Sequence, residues 1–294
     1  MANLKVIRIR ISSVRSTRQI TSAMKMVSAA KLRRAQDKIV RLRPYAQKLY
    51  EILINLTRSL DDAEIENKYA RKSAPEKILI VVITSNRGLC GAFNSNVVKE
   101  AKRMIADSYY DQYIKGNVHF LTIGKKGYDY MRKQNFKIAG VNNDLLNDVS
   151  FENAIPLAEK VMESFLKGDY DRVDIIYNHF KNAAVQILTN EPFLPVETTR
   201  PSLKERFTTD YIYEPDKEEI IRELIPKSLK LQFYKALLDS FVAENGARMT
   251  AMHKATDNAT TMIRDLTLQY NKARQAAITN QILEVVNGAE ALKG

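Results

Sequence analysis

The two ends of this chain constrain it more than anything between them. Residues 1–43 contain neither glycine nor proline, and apolar side chains recur at Ile7, Ile11 and Val14, then at Ile20, Met24 and Val27, as on one helical face. Pro44 lacks a backbone donor and is expected to end or kink this helix near Arg43. Across it, Leu42, Tyr45, Leu49, Ile52 and Leu56 recur at alternating steps of three and four, a heptad seam. The pattern reaches an acidic stretch at residues 61–66, which makes the segment several times longer than the ~11–12 residues of a mean globular helix.

The other end mirrors it. Gly246 is the only glycine or proline between Lys227 and Asn287. Met252, Thr256, Ala259, Ile263, Leu266, Tyr270, Ala273 and Ala277 form one seam. Ile278, Ile282, Val285, Ala289 and Leu292 form a second, and the register jump between them should alter the supercoil locally. Alanine and threonine at seam positions let two helices approach closely. Two seams of similar length at opposite termini most simply pair antiparallel.

Charge is concentrated on the first helix. Lys and Arg number 46 against 34 Asp and Glu, a net +12. Residues 1–43 hold twelve of the basic side chains and one acid, Asp37. A basic surface of this kind meets an acidic partner. An Arg-rich, acid-poor N-terminus is also the composition of an organelle-targeting segment, but such a segment needs no register, and this pattern runs on past Pro44. No apolar run reaches the ~18–20 residues that cross a bilayer.

The middle reads differently. Residues 77–84 (KILIVVIT) form a continuous apolar, β-branched run, the mark of a strand buried on both faces. A turn at 85–91 (SNRGLCG) and a helix from about Asn94 to Ala106 follow. Val118–Ile123 is a second strand, followed by Gly124 and a helix through Met131. A helix at Phe151–Lys167 stops at Gly168, and Arg172–Tyr177 is a further strand. Residues 183–189 alternate and pair beside it as a hairpin, with Asn182 in the turn. Strands alternating with helices give an open, Rossmann-like α/β sheet. Segments 68–75 and 192–215 join it to the helices. The expected organisation is therefore an N-terminal coiled-coil helix over 1–66, a central α/β domain over 75–215, and a C-terminal helix over 219–294 that pairs with the first.

The loop Ser85–Gly91 sits after a strand and before a helix, where a phosphate loop would sit. It matches neither G-x-G-x-x-G nor G-x-x-x-x-G-K-[ST], and Gly124–Gly127 lacks the frame as well. A tight turn with glycines for close packing is the simpler account. Cys90 has neither His119 nor His179 in local support as a base, His253 falls on a helix surface, and no general acid–base pair assembles. One cysteine and three scattered histidines make a structural zinc site improbable. The residues argue against an enzyme.

Several blocks carry a resemblance. They are Ile20–Val27 (ITSAMKMV) with Ala29–Gln36, Arg87–Gly91 with Phe93 and Asn94, Tyr211–Pro215 (YIYEP), Ala255–Ala259 (ATDNA), and Asn271–Ala276 followed by Ile278, Thr279, Gly288 and Ala289. In that order, across nearly the whole chain, they resemble the γ subunits of F-type ATP synthases. Two positions depart from the family pattern: Asn86 where Asp is usual, and Gln281 where Glu is usual.

The resemblance implies a central rotor shaft whose terminal helices form an antiparallel coiled coil inside a hexamer of α and β subunits. The α/β domain would sit on the c ring beside ε, at the cytoplasmic face of the bacterial inner membrane, peripheral to it. It implies torque contacts to β at Met24, Lys25, Arg274, Gln275, Thr279 and Glu284, and surfaces toward the c ring or ε at Arg87, Tyr211, Tyr213 and Glu214. No cofactor, metal or catalytic residue is implied in this chain; catalysis would reside in β. Two competing classes are a nucleic-acid-binding coiled coil, whose basic helix would track phosphates, and an α/β enzyme with helical arms. The first conflicts with the apolar seam and the absence of aromatic residues before Tyr45, the second with the loop mismatch.

Overall fold

Six successive branched side chains, Ile78–Ile83, form strand β1, and all six are buried. A strand buried on both faces must lie inside a sheet that is itself covered on both faces. In the computed structural model, which describes residues 4–58, 68–69, 74–196 and 217–291, β1 is the central strand of five. β2 (Val118–Ile123) and β4 (Arg172–Phe180) flank it in parallel. β3 (Ile138–Asn142) extends the sheet in parallel beyond β2, and β5 (Gln186–Leu194) closes the other edge antiparallel to β4. The order is β3-β2-β1-β4-β5.

Helices cover the sheet through the faces their sequences offer. α2 (Phe93–Ser108) buries Phe93, Val97, Val98, Ala101, Met104 and Ile105, the last five in one core with Ile78, Ile80, Val82, Phe120 and Met131. Because side chains alternate along a strand, Leu79, Val81 and Ile83 point to the opposite face. α5 (Phe151–Leu166) starts on Ser150, whose hydroxyl accepts from the Asn153 N–H. It ends where Gly168, at φ 80°, lets the amides of residues 168 and 169 bond back to Phe165 and Ser164, the paired C-terminal closure of a helix on glycine. α4 (Lys125–Lys133) is pressed against the end of β1: a Cβ on Gly124 would lie 2.3 Å from the Thr84 carbonyl oxygen.

The strand expectations hold with three adjustments. β3 and the short helix α3 (Tyr110–Ile114) carry no clear sequence signal; β3 is an edge strand with Gly140 at its centre and an alternating, half-exposed pattern. The hairpin is longer than its alternation suggests, with β4 reaching Phe180. Pro192, expected to open a linker, lies inside β5. An edge strand tolerates proline because one of its sides needs no donors, and the register shifts beside Pro192.

The chain divides into two compact units, Ala29–Ala247 and Met1–Ser28 with Arg248–Gly294. Two helices run through both: α1 (Leu4–Arg58) and α6 (Lys217–Ala291). Within the larger unit α1 buries Leu32, Ala35, Ile39 and Leu49, with Leu42 and Ala46 partly covered. That is an unbroken heptad, and it corrects one expectation. Tyr45 is 61% exposed, and Ala46 takes the seam position. Pro44 does not end the helix. The carbonyl it leaves unpaired is that of Val40, on the exposed face, where water can bond it, and burial of Ile39 and Leu49 offsets the cost of ~3 kcal/mol for an internal proline.

In the same unit α6 is buried almost all round from Ala236 to Ala247. A helix covered on every side is interior to its unit rather than one wall of a bundle. The β4–β5 turn leans on it, so that a Cβ on Gly246 would stand 3.3–3.4 Å from Ala183 and Phe180.

Candidate functional site

The smaller unit is an antiparallel pair of helices with a register fixed by two polar contacts. Arg8 Nη2 donates to the Tyr270 hydroxyl at 2.7 Å, with its guanidinium 5.6 Å from the ring centroid. Thr256 Oγ1 lies 2.9 Å from Thr21 Oγ1. Thirteen residues forward along α1, from 8 to 21, thus match fourteen backward along α6, from 270 to 256. The seam on α6 is the expected one: Met252, Ala259 and Leu266 are buried, while Thr256, Ile263, Tyr270, Ala273 and Ala277 are partly covered.

The facing seam on α1 differs from expectation. Ile20 and Val27 are 60% and 58% exposed, whereas Thr21 and Ser28 are 9% and 3% exposed. Two small hydroxyl residues fill the interface and two branched apolar residues face outward. The Thr21 hydroxyl donates to the Arg18 carbonyl, and that of Thr256 is placed to donate to the Met252 carbonyl or to Thr21. Small satisfied hydroxyls permit a close helix approach that larger side chains would prevent.

The register also settles the second α6 seam. Continued backward, it sets residue 274 opposite Leu4, so α6 outruns the described start of α1. Ile278, Ile282 and Val285 are exposed accordingly, Val285 at 71%, as are Leu283 and Val286. The expected second seam has no partner helix among the described residues.

The loop after β1 is closed on itself. The Ser85 N–H donates to Asn94 Oδ1 at 2.9 Å, Ser85 Oγ donates to the Arg87 carbonyl at 2.7 Å, and Asn94 Nδ2 reaches Cys90 Sγ at 3.3 Å. The first amides of α4 are occupied too: Lys125 N–H by Asn86 Oδ1, Lys126 N–H by the Ser85 carbonyl, Gly127 N–H by Thr84 Oγ1. A phosphate would need such donors open. The close backbone packing foreseen for the loop glycines falls instead at Gly124 and Gly127, both against Thr84, while Gly91 supplies a φ of +61° in open space. Among the described residues no three His, Cys, Asp or Glu side chains gather.

A buried polar cluster lies in the larger unit. The Asp239 carboxylate on α6 is fully buried; Oδ2 is 2.9 Å from His179 Nδ1 on β4, and Oδ1 accepts from Arg43 Nη2 of α1 at 3.5 Å. Arg43 Nη2 also donates to the Phe180 carbonyl at 3.2 Å. Nearby, the Tyr177 hydroxyl donates to Glu191 at 2.7 Å, and burial, then the charges of Glu191 and Asp239, push its pKa up. Sequence reading passed over this cluster. The available signal was an acid inside the apolar run Ala236–Ala243.

The family described as ATP synthase matches residues 3–292. The ATP synthase gamma chain of Flavobacterium johnsoniae is 55% identical over 294 residues, all of both chains. The chain belongs to the ATP synthase gamma-chain family. Among solved structures it resembles a chain of the Euglena gracilis mitochondrial ATP synthase OSCP/F1/c-ring assembly, at a TM-score of 0.66 and 25% identity, covering 98% of this chain and 94% of that one. It also resembles a chain of the central stalk and c ring of the Tetrahymena thermophila mitochondrial enzyme, at 0.58 and 27%, covering 80% and 99%.

The gamma-chain residues anticipated from sequence do not form one patch. Met24 and Lys25 are partly covered on α1, whereas Arg274, Gln275, Thr279 and Glu284 are exposed on α6. With residue 274 opposite residue 4, the two groups lie about 30 Å apart along the coil at ~1.5 Å per residue. Arg87 is exposed on the β1 loop; Tyr211, Tyr213 and Glu214 lie outside the described residues. Asn86, one of the two positions read from sequence as departing from the family pattern, uses both ends of its amide. Nδ2 donates to the Asn143 carbonyl at 2.8 Å while Oδ1 accepts from Lys125, and a carboxylate could make only the second bond. Gln281 is exposed, and nothing in the structure explains it. Among the described residues no helix is long and apolar enough to cross a membrane.

Proposed function

We propose that this chain is the central rotor shaft of a bacterial F-type ATP synthase, transmitting rotation between a c ring and the catalytic β subunits. It turns inside a hexamer of α and β and associates with ε, peripheral to the cytoplasmic face of the inner membrane. It is non-catalytic: the chemistry belongs to β.

The observation that supports this best is the helix pair of the smaller unit. Its seam is closed, and what remains outside is a mixed surface of exposed apolar residues (Ile20, Val27, Ile282, Val285) and basic residues. Such a surface offers a hexamer different contacts at different angles. A ligand or partner shifts a conformational equilibrium only through differential contact with its states, and an asymmetric shaft presents that difference to each β in turn. Exposed ion pairs of ~0–1 kcal/mol suit this task, since deep ones would hold one angle. Met24 and Lys25 at one level, and Arg274, Gln275, Thr279 and Glu284 at the other, are the proposed torque contacts. Arg87, Tyr211, Tyr213 and Glu214 are proposed toward the c ring or ε.

With the hexamer fixed to a surface and a probe on this chain, ATP should drive unidirectional rotation. A complex that hydrolyses ATP at full rate while the probe stays still refutes the reading.

A further inference from the structure

Within the larger unit, three elements distant in sequence meet at one side chain. Asp239 on α6 is bonded to His179 on β4 and paired with Arg43 on α1, and Arg43 also holds the carbonyl of Phe180 at the end of β4. The carboxylate is wholly buried, while its two partners keep 33% and 45% of their side chains exposed. Removing a carboxylate from water into an incompletely compensated site is expensive, and apolar residues of similar volume often replace such groups with no loss of stability. Stability alone is therefore a poor reason for a carboxylate here.

Direction is a better one. Apolar surfaces resist separation but slide with little penalty, whereas hydrogen bonds weaken steeply with distance and angle. A bond from α6 to β4, joined by the Arg43 guanidinium reaching from α1 to both, resists relative turning of all three. Other contacts join only two parts: Gln232 and Phe233 of α6 meet Glu191 and Phe193 of β5. Asp239 joins three.

We propose that Asp239, with His179 and Arg43, is a torsional pin that fixes the angle between residues 29–58 and 217–247 of the two long helices and the sheet, so that rotor stiffness depends on it. The proposal rests on the rotor reading above. Asp239 acts as a positioning residue, remote from nucleotide chemistry.

The test uses the assembled complex with its hexamer fixed and a probe on Asp107→Cys, an exposed site on α2, Cys90 being buried. Angular variance at the catalytic pause measures compliance. In the triple variant Arg43→Met, His179→Phe, Asp239→Leu the variance should rise about twofold, because sliding contacts replace directional ones, while thermal stability is kept or raised. Asp239→Asn, which keeps an acceptor for His179 and loses the ion pair with Arg43, should fall between and serves if the triple variant fails to assemble. Variance equal to the parent in the variants that assemble overturns the pin. So does a rise in variance that only tracks a fall in melting temperature. A parent complex that hydrolyses ATP without rotating refutes the rotor reading instead.

Discussion

Replacing Thr21 tests whether the coil is closed by size or by hydrophobicity. Thr21 is 9% exposed and its hydroxyl meets that of Thr256 at 2.9 Å. Thr21→Val exchanges the hydroxyl for a methyl of equal bulk. It loses a hydrogen bond worth ~1 kcal/mol and gains ~0.8 kcal/mol for the buried carbon. Thr256 is not stranded, since it can donate to the Met252 carbonyl at 2.8 Å. The two changes nearly cancel, and the net effect should stay within about 0.5 kcal/mol. Thr21→Leu instead enlarges a side chain at a close approach, and overpacking of this kind costs ~1–3 kcal/mol. Native-state amide exchange of residues 252–266 in the full chain reads the difference locally: protection should be unchanged for valine and fall by about one to two orders of magnitude for leucine, at 1.4 kcal/mol per factor of ten. Leucine tolerated as well as valine would show that the helices are not close there, and the account of the buried hydroxyls would fail.

Met24→Lys should impair coupling of hydrolysis to proton pumping more than Met24→Ala, with partial rescue when an acidic residue of β is neutralised; equal impairment without rescue would point to packing. Gly124→Ala should destabilise the α/β domain severely, because its Cβ would meet the Thr84 carbonyl at 2.3 Å on a backbone at φ +103°, and thermal melting of the full chain reads this. Burial, then the charge of Lys137, lowers the pKa of His119, so the unfolded chain takes up that proton first and stability falls as pH drops below 6.5. His119→Phe should flatten that acid limb in denaturant titrations. Tyr109 and Tyr177 are shifted upward, by burial first and then by Asp174 and Glu191 respectively, so the stability they contribute is complete below pH 10 and lost as pH rises beyond it. Tyr177→Phe should reduce the alkaline slope.

The sequence by itself determined the parts of this protein that follow from local repetition. Residues 78–83 could only be a doubly covered strand, Gly168 could only stop α5, and the seam from Met252 to Ala277 could only be a helix with a partner, because period and chain stereochemistry act within a few residues. The family blocks nominated Met24, Lys25, Arg274 and Gln275 for the same reason, as short strings that need no fold to be recognised. What lies across long separations was not legible. Hydrophobicity nominated Ile20 and Val27 for the interface, yet Thr21 and Ser28 occupy it, because separation between helices depends on the bulk both contribute and one strand of sequence shows only half. Ile278–Val286 has the spacing of a seam, yet among the described residues no helix lies against it, since a seam is a seam only where a partner reaches. Along the chain Asp239 is one acid inside an apolar run. Its meaning came when folding brought Arg43 and His179, 196 and 60 residues away, to the same carboxylate, for a buried charge is defined by what surrounds it and only tertiary structure supplies surroundings.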